Sequence, residues 1–417
     1  MSRLDIQSSP PVALPLRFFG GAIAWGLAAG PVMAGLDNAL WATRWHPDLL
    51  ALVHLVVLGV IGQACLGALL QFLAAAAASP PPGPLRAWTV LHAAWNVGVA
   101  ALVSGFLWAQ PVALQAGGAL LTLCLCAAGG AMLLGLARSR GPGWLRAGLA
   151  VPLVAWPIVA ALGLVLVAAM AGGLVLDLAR WTDIHAAAGL GLVFVALLTN
   201  VALVVMPMLM GTGRPGRFLR WLGFLPTIAT LLILLARAGA DDGDVSTRLL
   251  GGVLALLAAV AMLALARRPH RRNAPLVAAW RLGLGLAGIA GLAWLGAGTS
   301  AGLAPAAMLV GGGLPLLVLS MMLEIRAFLG WIELHRTCER GLQLPGVHLL
   351  LPDRLKWRWL GAHAGAAAGL AWLAARPSPG LTLAVAVCWC LAFVLLASAM
   401  SQPRRVAHAF QSRSIAA

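Results

Sequence analysis

Apolar stretches of about 20 residues, the length that crosses a hydrocarbon layer, follow one another through this chain with only short polar links between them. A soluble domain keeps roughly a quarter of its residues charged to wet its surface. Here only 10% of the 417 residues are charged, 61% are hydrophobic and the mean hydropathy is +0.94. The fold class expected is all-α, a polytopic membrane helix bundle, with residues 1–417 forming a single integral membrane domain. The spans fall near 16–36, 49–74, 87–109, 112–136, 148–172, 183–209, 219–236, 248–266, 276–297, 303–327, 358–375 and 380–400, twelve in all. The longest connection is the basic loop 328–356. The polar segment before the first span has no short apolar core with a small-residue cleavage site, so the first span is expected to be retained.

Charge position orients the bundle, because loops left on the cytoplasmic side keep Lys and Arg. With the N-terminus inside, the cytoplasmic set includes Arg3, Arg17, Arg86, Arg138, Arg214, Arg271, Arg340, Lys356 and Arg404. The other side keeps only Arg44, Arg180, Arg237, Arg248 and Arg376, set against Asp37, Asp48, Asp177, Asp183, Asp241, Asp242 and Asp244. Both termini are expected to be cytoplasmic, in a bacterial-type cytoplasmic (inner) membrane. The net charge of +16 then reflects topology and contact with the anionic lipid of the bilayer, and nucleic acid is not an expected partner. Trp41, Trp45, Trp88, Trp181, Trp221, Trp331, Trp357 and Trp359 lie near span ends and read as interfacial anchors. Runs such as Gly26 to Gly30 and Gly283, Gly285 and Gly288 read as close-packing faces. Cys124 with Cys126, and Cys388 with Cys390, are two apart on helices and read as small buried hydrophobes rather than ion clasps.

Chemistry inside the membrane is restricted. There is no Tyr, which excludes a phenolic acid or tyrosyl radical. No acidic residue or Lys stands at the middle of a span, although Glu324 and Arg281 lie near cytoplasmic ends; this disfavours a proton- or sodium-driven transporter. Asn96, Asn200, Gln63 and Gln115 read as scattered. Four histidines remain. His92 and His363 fall near the cytoplasmic interface, as hydrogen-bonded boundary residues. His54, about four residues into span two, and His185, nearer the mouth of span six, belong to the outer side. Neutral imidazole ligates haem iron and suits copper without leaving a permanent buried charge.

The segment around His54, Leu50-Ala-Leu-Val-His54-Leu-Val-Val-Leu-Gly59 continuing through Gln63 and Gly67, resembles the second helix of subunit I in the haem-copper oxidase superfamily and its NnrS-type relatives. The segment Trp181-Thr-Asp-Ile-His185-Ala-Ala-Ala-Gly189, ending at Met206-Pro207-Met208, resembles the sixth. The resemblance implies three arcs of four helices, with equivalent positions on spans two, six and ten. It implies His54 as a haem b ligand, His185 as a haem or metal ligand, copper among the metals, and Met308 on span ten as a second axial ligand; Met308 also reads as a core filler. Spans seven and ten carry no His, so the family's binuclear centre lacks its expected ligands and a complete oxidase or nitric oxide reductase is not expected. Electron transfer, haem or copper handling, or a nitric oxide response is the leading reading, with a redox partner or membrane subunit. The alternatives are a non-redox transporter and a non-catalytic assembly subunit docking through an amphipathic helix in loop 328–356.

Overall fold

The computed structural model describes residues 10–80, 82–239, 243–270, 272–338 and 342–416. Arg3, Asp241, Asp242, Arg271 and Arg340, counted in the charge pattern above, lie outside these. The described residues form helices and no strand, as a bilayer requires of chain segments that must satisfy their own backbone groups. Twelve long helices follow in order: α1 (Ala13–Gly35), α2 (Pro47–Ala77), α3 (Leu85–Leu107), α4 (Pro111–Arg138), α5 (Gly143–Met170), α6 (Leu178–Met210), α7 (Arg217–Ala238), α8 (Asp244–Ala266), α9 (Ala274–Ala301), α10 (Ala304–Thr337), α11 (Asp353–Ala375) and α12 (Pro379–Ser412). Eleven are long and apolar enough to cross a membrane. The remaining one, α11, carries Asp353, Arg354, Lys356 and Arg358 in its first turns and an uncharged stretch from Trp359 onward.

Each helix packs on the next, and α12 returns to α1, closing a ring. Three helices are set further in than the rest. The apolar stretches of α2, α6 and α10 are 61%, 50% and 72% buried, against 22–44% for the other eight spans. These three, spaced every fourth helix, are also the ones that carry π-helical turns: Leu55–Gly62, Ala188–Val195 with Met206–Met210, and Ala307–Gly313. A π turn accommodates one extra residue per turn and re-aims the side chains beyond it. The turns of α2 and α10 touch each other.

With no hydrophobic drive between helices in lipid, packing depends on close approach. At Gly251 of α8 and Gly291 of α9 an added Cβ would lie 2.5 and 2.6 Å from the partner's carbonyl oxygen, so the two backbones meet directly. Gly283 of α9 and Gly313 of α10 repeat the arrangement at 3.0 and 3.1 Å. Gly285 meets nothing, so only part of that run is a packing face.

Other expectations are corrected. Trp88 and Trp359 are buried, at 4% and 1% exposure, and are core residues rather than interfacial anchors; Trp45, Trp221 and Trp357 are exposed. Cys126 is exposed, whereas Cys124 is buried. Phe328 to Thr337 is no loop: α10 continues through it, with Leu329, Ile332 and Leu334 fully buried. Leu334 packs with Leu350 and Ala407, so the apolar face of this segment is spent on the chain's own C-terminal helix.

Candidate functional site at the heads of α2 and α6

The two helices that carry His54 and His185 begin alike. Pro47 opens α2 behind an N-cap at His46, whose ring accepts from the Asp48 N–H at 3.3 Å. Asp177 caps α6, accepting from the Arg180 N–H at 3.1 Å. Such caps satisfy amide groups the first turn leaves open. From Pro47 to His54 and from Leu178 to His185 the interval is the same seven residues, about 10 Å along each helix. Each histidine is thus the eighth residue of its helix, and His185 lies as far from the start of its helix as His54 does, which corrects the expectation that it is nearer the mouth.

The structure brings these two side chains together. Their ring centroids are 6.3 Å apart with planes 24° from parallel, and Phe106 from α3 lies against His54 at 5.2 Å and 27°. Both histidines are half-buried. His54 Nδ1 is 2.7 Å from the Leu50 carbonyl oxygen. A carbonyl only accepts, so Nδ1 carries the proton and Nε2 keeps its lone pair. This is how ligating histidines are held in one tautomer. His185 Nδ1 is sealed from solvent without a hydrogen-bond partner; the polar groups acting on the ring are His54 and the Val159 backbone of α5. Gly163 of α5 makes space for the ring, since an added Cβ would lie 3.3 Å from His185 Cε1.

Charges fix the mouth above the pair. Asp183, one half turn before His185, forms ion pairs with Arg44 from the α1–α2 link and, at 3.0 Å, with Arg237 at the end of α7. Arg237 is only 5% exposed. Arg180 donates to the carbonyl oxygens of Arg237, at 2.5 Å, and Gly239, at 3.1 Å. The residues counted at the sequence level only as outer-side charges therefore tie the head of α6 to α7 and to the link before α2.

Met308 sits on the π turn of α10, half-buried against the main core, the surroundings of a core filler. Gln63 and Asn96 are not scattered: Asn96 Oδ1 accepts from Trp25 Nε1 at 2.8 Å and Gln63 Nε2 at 3.0 Å, and its Nδ2 lies 3.2 Å from His92 Nε2. Gln115 is exposed. His363, expected to be hydrogen-bonded, is instead fully buried, boxed by Trp359, Trp389 and Phe393, with neither ring nitrogen hydrogen-bonded.

Two imidazole nitrogens sharing one ion at ~2.0–2.1 Å each put their ring centroids up to roughly 6.4 Å apart when the rings point at the ion from opposite sides, and the 6.3 Å separation is at the limit of that reach. The donor set fits a single ion that accepts two neutral nitrogens. Zinc takes four ligands, and no group of three or more His, Cys, Asp or Glu able to hold a metal is present among the described residues. For haem b, the His54 tautomer fits an axial ligand, while Phe106 covers one face of that ring. No family model matches this chain, and no curated protein is significantly similar to it.

Proposed function

We propose that this multi-pass membrane protein holds one copper ion between His54 and His185, and works in electron transfer or copper handling on the outer side of the bilayer. The observation that carries the reading is the meeting of two histidines from separate inner helices, each the eighth residue of its helix, with ring centroids 6.3 Å apart. Imidazole suits copper, and a low-coordinate site of neutral donors favours its reduced form. Such an ion supplies one-electron transfer or a transfer station between carriers. The chain's own part is to fix the His54 tautomer through Leu50, to seat His185 against Gly163 and to brace the mouth through Asp183. The outer placement follows from the basic loops being cytoplasmic.

A haem b on His54, with Met308 as its second ligand, is the other reading, and the Nδ1 anchor on Leu50 favours it. In either case the architecture of three inner helices every fourth span supports the likeness to haem-copper oxidases and NnrS-type proteins, in a degenerate form without the full catalytic ligand set.

Metal analysis and a reduced-minus-oxidised spectrum of detergent-purified protein, prepared with copper and haemin supplied, test this. One copper per chain, lost in both His54→Ala and His185→Ala, is the expected result. A Soret band lost only in His54→Ala would shift the reading to haem. Protein that folds, takes up neither group and remains colourless would end both.

A further inference from the structure

At the end of the bundle opposite the histidine pair, the C-terminal turns of α10 and α12 meet the start of α1 around a cavity of about 710 Å³. Its apolar wall is Leu16, Phe19, Ile23 and Met400; its polar groups include Arg326, Arg404, Arg405 and His408. No acidic side chain lines it. Arg326 is 3% exposed; its Nε donates to the Met400 carbonyl oxygen at 2.9 Å, and its Nη1 is buried with no hydrogen-bond partner. Burying a guanidinium with an unanswered N–H is costly unless an anion completes it. Glu333, in the following turns of α10, acts on Arg326 favourably and Arg404 opposes it, but neither gives the buried Nη1 an acceptor.

We propose that this cavity binds the phosphate of an anionic phospholipid, with Arg326 seating the headgroup, Arg404 and Arg405 closing over it, and the apolar wall taking the first part of an acyl chain. A phosphate answers an arginine fork with charge-assisted bonds, and the α1, α10 and α12 ends lie at the level where basic side chains meet lipid headgroups. A free inorganic phosphate would satisfy the arginines but leave the apolar wall uncovered. The inference is independent of the metal reading, since it concerns the other end of the bundle.

Native mass spectrometry of the whole protein, delipidated and then exposed in detergent to phosphatidylglycerol, phosphatidylcholine or inorganic phosphate, tests it. One phosphatidylglycerol should be retained in preference to phosphatidylcholine. Arg404→Ser with Arg405→Ser, exposed positions that leave the core intact, should reduce retention by roughly tenfold, as should Arg326→Gln, the loss expected for a charge-assisted hydrogen bond. Arg326→Gln is checked for folding by its elution and thermal midpoint, and the surface double variant stands alone if it fails. Equal retention of the two lipids, full retention by the double variant, or equal stabilisation by inorganic phosphate alone would overturn the proposal.

Discussion

Replacing Asp183 with asparagine tests whether the charges above the histidine pair hold the site together. The carboxylate faces two cations of different character. Arg237 is 5% exposed and 3.0 Å away, whereas Arg44 has 41% of its side chain in solvent. Removing one member of a buried ion pair costs about 3–5 kcal/mol. Asp183 itself is 18% exposed, and the asparagine carbonyl still accepts from Arg237, so about 2–3 kcal/mol is expected for Asp183→Asn. Arg44→Gln removes only the exposed partner and should cost about 1 kcal/mol or less. Unfolding in mixed detergent micelles, followed by tryptophan fluorescence, gives both values, and copper content gives the functional consequence, since Asp183 is on the turn that carries His185. If Arg44→Gln proves as damaging as Asp183→Asn, or if Asp183→Asn costs under about 1 kcal/mol, the buried clamp is not what fixes the head of α6.

Two further outcomes are expected. Glu324 of α10 and Lys356 of α11 form an ion pair at 2.6 Å with side chains 10% and 8% exposed; Glu324→Gln leaves Lys356 only the exposed Asp353 at 3.6 Å and should cost about 3 kcal/mol, whereas Glu324→Leu combined with Lys356→Met should fall near wild type. Equal losses in the single and double variants, measured by the same unfolding assay, would show that the pair is hydrated. Gly163→Val should leave the protein folded, judged by monodisperse elution, yet lower its copper content, because the new side chain meets the His185 ring; unchanged copper would show that His185 does not need that seat.

The number and order of the helices were legible in the sequence, because hydropathy over a span's length is a local property and a bilayer admits one regular answer to it. His54 and His185 could also be singled out, since an ionisable ring in an apolar run is conspicuous without any neighbour. How far each lies into its helix was misread: the polar residues Pro47-Asp48 and Leu178 to Thr182 look like link from composition, but cap geometry begins the helices there. The end of α10 was missed for the opposite reason. Charged residues after Phe328 read as a basic loop that is helical only in part, yet α10 runs on to Thr337 and Leu334 finds a covered place with Leu350 and with Ala407 of α12.

What the chain alone determined is therefore everything set by residues close in sequence: the all-α class, the spans and the short list of polar groups within them. Only the tertiary structure decided which of these groups face one another. It buried Trp88 and Trp359, joined Gln63 to Asn96, paired Glu324 with Lys356 and turned two imidazoles together over 131 residues of chain. A side chain's direction follows from its helix's rotation, which the π turns of α2, α6 and α10 alter. That rotation is chosen by packing against helices distant in sequence, where no local pattern can record it.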